Sequence, residues 1–103
     1  MSTSTIEEVE TTSKTLPPYN LILLNDDDHS VHYVVHLCQS VFGHVKDKGL
    51  QIAREVHTTG RAILYTGSLE VVELKQEQVH ALGADPLIPH CTGSMTTVIE
   101  KSV

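Results

Sequence analysis

Basic residues are scarce in this chain. Seven Lys and Arg stand against thirteen Asp and Glu, for a formal net charge of −6. The seven are scattered rather than clustered. A nucleic-acid backbone as partner is excluded on that ground, because binding phosphates needs grouped Lys and Arg. An acidic surface suits a cationic partner or a cationic group on a ligand. Cysteine is scarce too: Cys38 and Cys91 lie far apart and form no CxxC pair, so the expectation is two reduced thiols. No apolar run approaches the roughly 20 residues that span a bilayer, so no membrane partner is expected. The opening MSTSTIEEVE lacks the basic start and apolar centre of a secretory signal, which points to the cytoplasm. GxSxG, a Gly-rich phosphate loop and HExxH are all missing. No enzyme, cofactor or metal centre is expected from motif alone.

What is present suits one domain. The length is 103 residues, with 40% hydrophobic and 19% charged, enough for a single ordinary core. Residues 1–18 are dominated by Ser, Thr and Glu and close on Pro17-Pro18. They read as a flexible extension, and 19–103 as the folded part.

The organising stretch is Tyr19 to Asp28, YNLILLNDDD. Leu21 to Leu24 form a buried strand that empties directly into Asn25, Asp26, Asp27 and Asp28. The strand fixes where the acids sit. A helix follows, with Asp28 or Ser30 as cap, an inner stripe of Val31, Val34, Val35, Cys38 and Val41/Phe42, and Gly43 as its stop. A second helix is predicted from Asp47 to His57, with Leu50, Ala53, Val56 and His57 on one face and Gly60 ending it. RAILYT at 61–66 reads as a strand. Ser68 caps a third helix running to about Leu82, with Leu69, Val72, Val79 and Leu82 inward. Gly83 to Ser94 is a long loop, and roughly Met95 to Glu100 is the last strand. The order β-α-α-β-α-β, with helices on one face of a small, mainly antiparallel three-stranded sheet, is a two-layer α/β sandwich.

Two histidine constellations carry chemistry. His29, His32 and His36 follow helical spacing and, with Asp26 or Asp28, could ligate zinc, nickel or copper. As solvated surface histidines they would do nothing. Asn25, Asp26 and His57 form the second group. An amide carbonyl, a carboxylate and a neutral imidazole nitrogen are three acceptors. If the second helix crosses the end of the first strand, they converge on a small cation with three donors, such as a primary ammonium. The plain structural reading is a turn with capping acids and a structural histidine.

The run PPYNLILLNDD, the helix after it, A-x-x-V-H-x-x-G-R-A at 53–62 and S-L-E-x-x-E-x-K at 68–75 together resemble the ClpS family of N-end rule adaptors. The resemblance covers about Pro17 to Leu82. It implies the same sandwich, like the C-terminal domain of a ribosomal stalk protein. It implies a protein that grips the N-terminal residue of a substrate (an N-degron) and delivers it to a ClpA- or ClpC-type AAA+ unfoldase for degradation by ClpP. By position, Asn25, Asp26 and His57 would hold the α-amino group. His29, Val31, Val34, Ala53, Val56 and Met95 would line the side-chain pocket. Glu70 and Lys75 would dock on the unfoldase, and the extension would act in delivery. Val31 and Ala53 stand where the family usually has Met. Both changes remove volume and imply a wider pocket. The alternatives are a metal-binding protein using His29, His32 and His36, or a ClpS-like modulator of the unfoldase that binds no substrate.

Overall fold

The computed structural model describes residues 16–102. Most of the expected extension over 1–18 lies outside the described residues. Six elements follow in the order expected: β1 (Tyr19–Leu24), α1 (Val31–Phe42), α2 (Lys46–Thr59), β2 (Arg61–Gly67), α3 (Leu69–His80) and β3 (Thr97–Lys101). The sheet order is β2-β1-β3, and both pairings are antiparallel.

β1 is central because its apolar run supplies both faces. Leu21 and Leu23 enter the helix-covered core. Ile22 points to the other face, yet it is also buried. The register puts Ile22 between Ile63 and Val98. The Arg61–Glu100 ion pair, 2.8 Å long, joins the two edge strands diagonally across it. Aliphatic stems of such charged residues can cover apolar surface while their heads stay wet. The pairing of β1 with β2 shifts between Leu21 and Ile22, which leaves Leu64 as the extra residue of a bulge.

α1 begins where Ser30 accepts from the Tyr33 N–H and ends where Gly43 turns left-handed at φ 68°. Its valines are poor helix formers, so burial holds it. The buried face shares Val34, Cys38 and Val41 with the predicted stripe and differs in the rest. Tyr33, Val34, Leu37, Cys38 and Val41 are inside, whereas Val31 is 56% exposed and Val35 half-buried. The cause is Tyr33. Its hydroxyl donates to Gly83 O at 2.6 Å, so the ring can be buried with its polar tip satisfied. The helix is rotated to admit it.

α2 starts one residue earlier than predicted and runs two further. Its N-cap is Val45, without a side-chain cap bond, and Asp47 sits in the first turn, where a carboxylate favours the helix dipole. Gly49, Ile52, Ala53 and Val56 are buried, so His57 faces out rather than sharing the inner face. Gly49 is where α1 comes closest: a Cβ there would lie 3.3 Å from Val35 Cα. α3 is capped by Ser68 and buries only Val72 and Val79. It stops at His80, short of Leu82, and Leu69 is exposed. β3 starts at Thr97 rather than Met95, because its partner has run out. In the β1–β3 register Met95 would face Asn25, one residue past the end of β1 at Leu24. Met95 therefore drops into the core.

Candidate functional site

The end of β1 is tied on both sides. The Leu24 N–H donates to Thr96 O and the Asn25 N–H to Gly60 O, each at 3.0 Å. The first bond brings the segment before β3 alongside. The second brings in the end of α2, and with it His57. Between them lies a cavity of about 200 Å³, smaller than the roughly 300–1,000 Å³ of pockets for drug-sized ligands. It is the size for one side chain. Asn25, Asp26, His29, Val31, Val34, Ala53, Val56, His57 and Met95 all line it. These are the nine residues that the family resemblance implied for the α-amino site and the side-chain pocket. Asp27 and Ser30 complete the lining.

The cavity is apolar at its floor and polar at its rim. Val34, Ala53, Val56 and Met95 are each buried, while Asn25 and His57 are exposed. Asp26 is held in place. Its Oδ1 accepts from the Asp28 N–H at 2.9 Å, and His29 Nδ1 lies 2.9 and 3.0 Å from its two oxygens. A carboxylate has about four lone-pair sites, so acceptor capacity remains for a ligand. The third acid, Asp28, pairs with His90 at 3.0 Å. His90 is exposed and Asp28 half-buried, so that pair adds little.

His29 is tightly built in. Its side chain is only 3% exposed. Nε2 lies 2.7 Å from Gly93 O, and the ring packs on Tyr33 with centroids 4.6 Å apart. This placement takes it away from His32 and His36, which line a separate groove with Tyr33, Leu82, Ala84 and Pro86. Among the described residues no three His, Cys, Asp or Glu side chains come together as a metal-holding group.

A support behind the cavity's lining escaped the sequence reading. Asp85, in the loop after α3, is 2% exposed. Its Oδ2 accepts from the Ser30 N–H at 2.7 Å and the Ser30 hydroxyl at 2.8 Å, and its Oδ1 from the Leu87 N–H at 2.9 Å. Desolvation pushes this carboxyl upward. The bonds from Ser30 and Leu87, with the His29 charge, outweigh it and hold the group below the usual carboxylate range. Asp85-Pro86 just after Gly83 is a turn signal, but its tie to the start of α1 spans 55 residues and has no local trace.

On α3, Glu70 is exposed in the first turn. Lys75 is tethered: Nζ donates to Val41 O at 2.9 Å and lies 5.8 Å from the Phe42 ring centroid. It closes the C-terminal end of α1. No helix among the described residues is long and apolar enough to cross a membrane.

The fold is a small open α/β sandwich with a side-chain-sized cavity, apolar below and acceptor-rich at the lip. The model of the family described as "ATP-dependent Clp protease adaptor protein ClpS" matches residues 14–87. The ClpS adapter of Streptomyces coelicolor is 35% identical over 81 residues, 79% of this chain and 84% of that protein. The ClpS adapter of Methylococcus capsulatus is 36% identical over 76 residues, 74% of this chain and 72% of that protein. Among solved structures, Agrobacterium tumefaciens ClpS2 bound to L-phenylalaninamide superposes with a TM-score of 0.67 at 25% identity, covering 82% of this chain and 98% of that one. The chain belongs to the ClpS family of Clp protease adaptors.

Proposed function

We propose that this adaptor binds the first residue of a substrate protein and delivers it, in the cytoplasm, to a ClpA- or ClpC-type unfoldase coupled to ClpP. The carrying observation is the convergence of Asn25, Asp26 and His57 on the same small cavity as Val34, Ala53, Val56 and Met95. A free α-ammonium has three donors and a positive charge that an internal residue lacks. The three acceptors match it, and the apolar floor takes the side chain beyond. L-Phenylalaninamide, the ligand of the Agrobacterium relative, has this same pairing of free amine and apolar side chain. Val31 and Ala53 leave the cavity broad, so β-branched first residues (Ile, Val) enter as well as Leu and Phe. The α3 surface that carries Glu70, with exposed Leu74 and Val71 beside it, is the face offered to the unfoldase. Lys75 supports that face by fixing α3 to α1.

The decisive measurement is fluorescence anisotropy with a Leu- or Phe-starting peptide and its acetylated twin. Hydrogen bonds to charged groups contribute about 1.5–3 kcal/mol each, so Asp26→Ala weakens binding about 10- to 150-fold. Acetylation abolishes it. Equal affinity for free and acetylated peptides would end this reading.

A further inference from the structure

A second constellation sits directly behind the pocket rim. Cys91 Sγ lies 3.3 Å from His29 Nε2, and His29 Nδ1 lies 2.9 Å from Asp26 Oδ1. Thiol, imidazole and carboxylate are in line, the order that activates sulfur nucleophiles in general. The sulfur also accepts the Asp85 N–H at 3.2 Å. Gly93 O is 2.7 Å from His29 Nε2 and 3.2 Å from the sulfur. Carbonyl and carboxylate oxygens only accept, and the thiol S–H can turn to Gly93 O beside His29. His29 donates through Nδ1 to Asp26 and through Nε2 to Gly93 O, and the sulfur takes the Asp85 N–H. The groups facing this sulfur are His29 from the segment after β1, Tyr33 from α1 and Asp85 from the loop itself.

We propose that Cys91 is a site of oxidation by hydroperoxides and that its modification weakens the adjoining pocket. In the reaction the sulfur attacks the outer oxygen of the peroxide. An S–O bond forms as the O–O bond breaks, and sulfur gives up two electrons. The departing alkoxide or hydroxide takes the proton carried by His29 Nε2, the thiol's proton refills that nitrogen, and alcohol or water leaves. The product is a Cys91 sulfenic acid. His29 is a positioning residue here. The added oxygen has no space between the sulfur, Nε2 and Gly93 O. It displaces the His29 contact that steadies Asp26 and the segment leading to Met95. This second half rests on the function proposed above; the reactivity does not.

Cys38 is the internal reference. It is fully buried, and burial pushes its thiol up to about 11, so it stays protonated and sheltered. The experiment treats the reduced full chain with hydrogen peroxide and dimedone and maps adducts by peptide mass. Cys91 labels at least about tenfold faster than Cys38. His29→Asn slows Cys91 labelling several-fold and leaves Cys38 labelling unchanged. Equal labelling of the two cysteines overturns the site, as does an unaltered Cys91 rate in a folded His29→Asn variant. In parallel, peroxide weakens Phe-peptide binding by about fivefold or more in the natural protein and leaves Cys91→Ser unaffected. Labelling of Cys91 without any affinity change overturns the regulatory half. A reduced protein that binds no peptide overturns the proposed function instead, and the labelling ratio still decides the site.

Discussion

The pocket's two walls are held by different forces. The helical wall, Val34 on α1 with Ala53 and Val56 on α2, is apolar burial over β1. The loop wall is Met95, carried by the segment from Ala81 to Thr96, which is fastened by a few directed bonds: Asp85 to Ser30 and Leu87, Tyr33 to Gly83 O, His29 to Gly93 O. Apolar contact is broad and degrades gradually as atoms are removed. A buried hydrogen-bonded anion fails abruptly, because deleting it orphans its donors. The loop wall is therefore the breakable one, and Asp85 is where it breaks. Asp85→Ala costs about 3–5 kcal/mol, read as a lower urea midpoint. Acid does the same reversibly. The folded carboxyl titrates below its ordinary value, so its stabilisation is complete above the unfolded pKa of about 3.9 and is lost as pH falls through the folded one. Amide exchange at Ser30 and Leu87 should accelerate below about pH 4 while Ala53 and Val56 stay protected. Asp85→Asn should flatten that difference. Simultaneous loss of protection in both walls would show that they are one cooperative unit.

The same division explains what could be read from residue order. β1, the three helices and the closing strand carry short-range signals: apolar periodicity, Ser30 and Ser68 as caps, Gly43 and Gly60 as stops. So the sandwich was legible, and the resemblance placed nine residues that share one cavity. The errors came where a long-range polar partner decides. Tyr33 counts as surface in any periodic reading, until Gly83 O, 50 residues away, accepts its hydroxyl. His29 looks like one of three helical histidines until Asp26 and Gly93 take both ring nitrogens. His57 was assigned to an inner face that Gly49 and Ile52 occupy instead, though it still reaches the cavity because Gly60 is bound to Asn25. Asp85 carried no signal beyond its turn.

The helical wall can be strained on its own. α1 and α2 touch at Gly49, whose absent Cβ would lie 3.3 Å from Val35 Cα, 3.4 Å from Val35 Cγ1 and 3.5 Å from Cys38 Cβ. Gly49→Ala gains helix propensity of about 1 kcal/mol and loses a similar amount to crowding, so it should be near neutral. Gly49→Val forces the helices apart and costs about 1–3 kcal/mol. Because Ala53 and Val56 ride on the same helix, Gly49→Val should also change which first residue a peptide array favours. An unchanged array at a lowered melting temperature would mean that the helical wall positions nothing in the pocket.

The smallest expected effect separates the walls most cleanly. Tyr33 belongs to both: its ring packs in the core and against His29, and its hydroxyl holds the loop at Gly83. Tyr33→Phe keeps the ring and deletes only the tether. The loss is that of one hydrogen bond, about 1 kcal/mol, or a melting temperature lower by about 4–8 °C. Since apolar packing is untouched, faster amide exchange should be confined to the loop, at Asp85, Ile88 and Cys91, where the turn bonds Ile88 N–H to Asp85 O and Cys91 N–H to Ile88 O lie. Exchange along α2 should not move. If α2 loosened as much as the loop, the hydroxyl would be stabilising the whole sandwich, and the contrast between a packed wall and a tethered one would not hold.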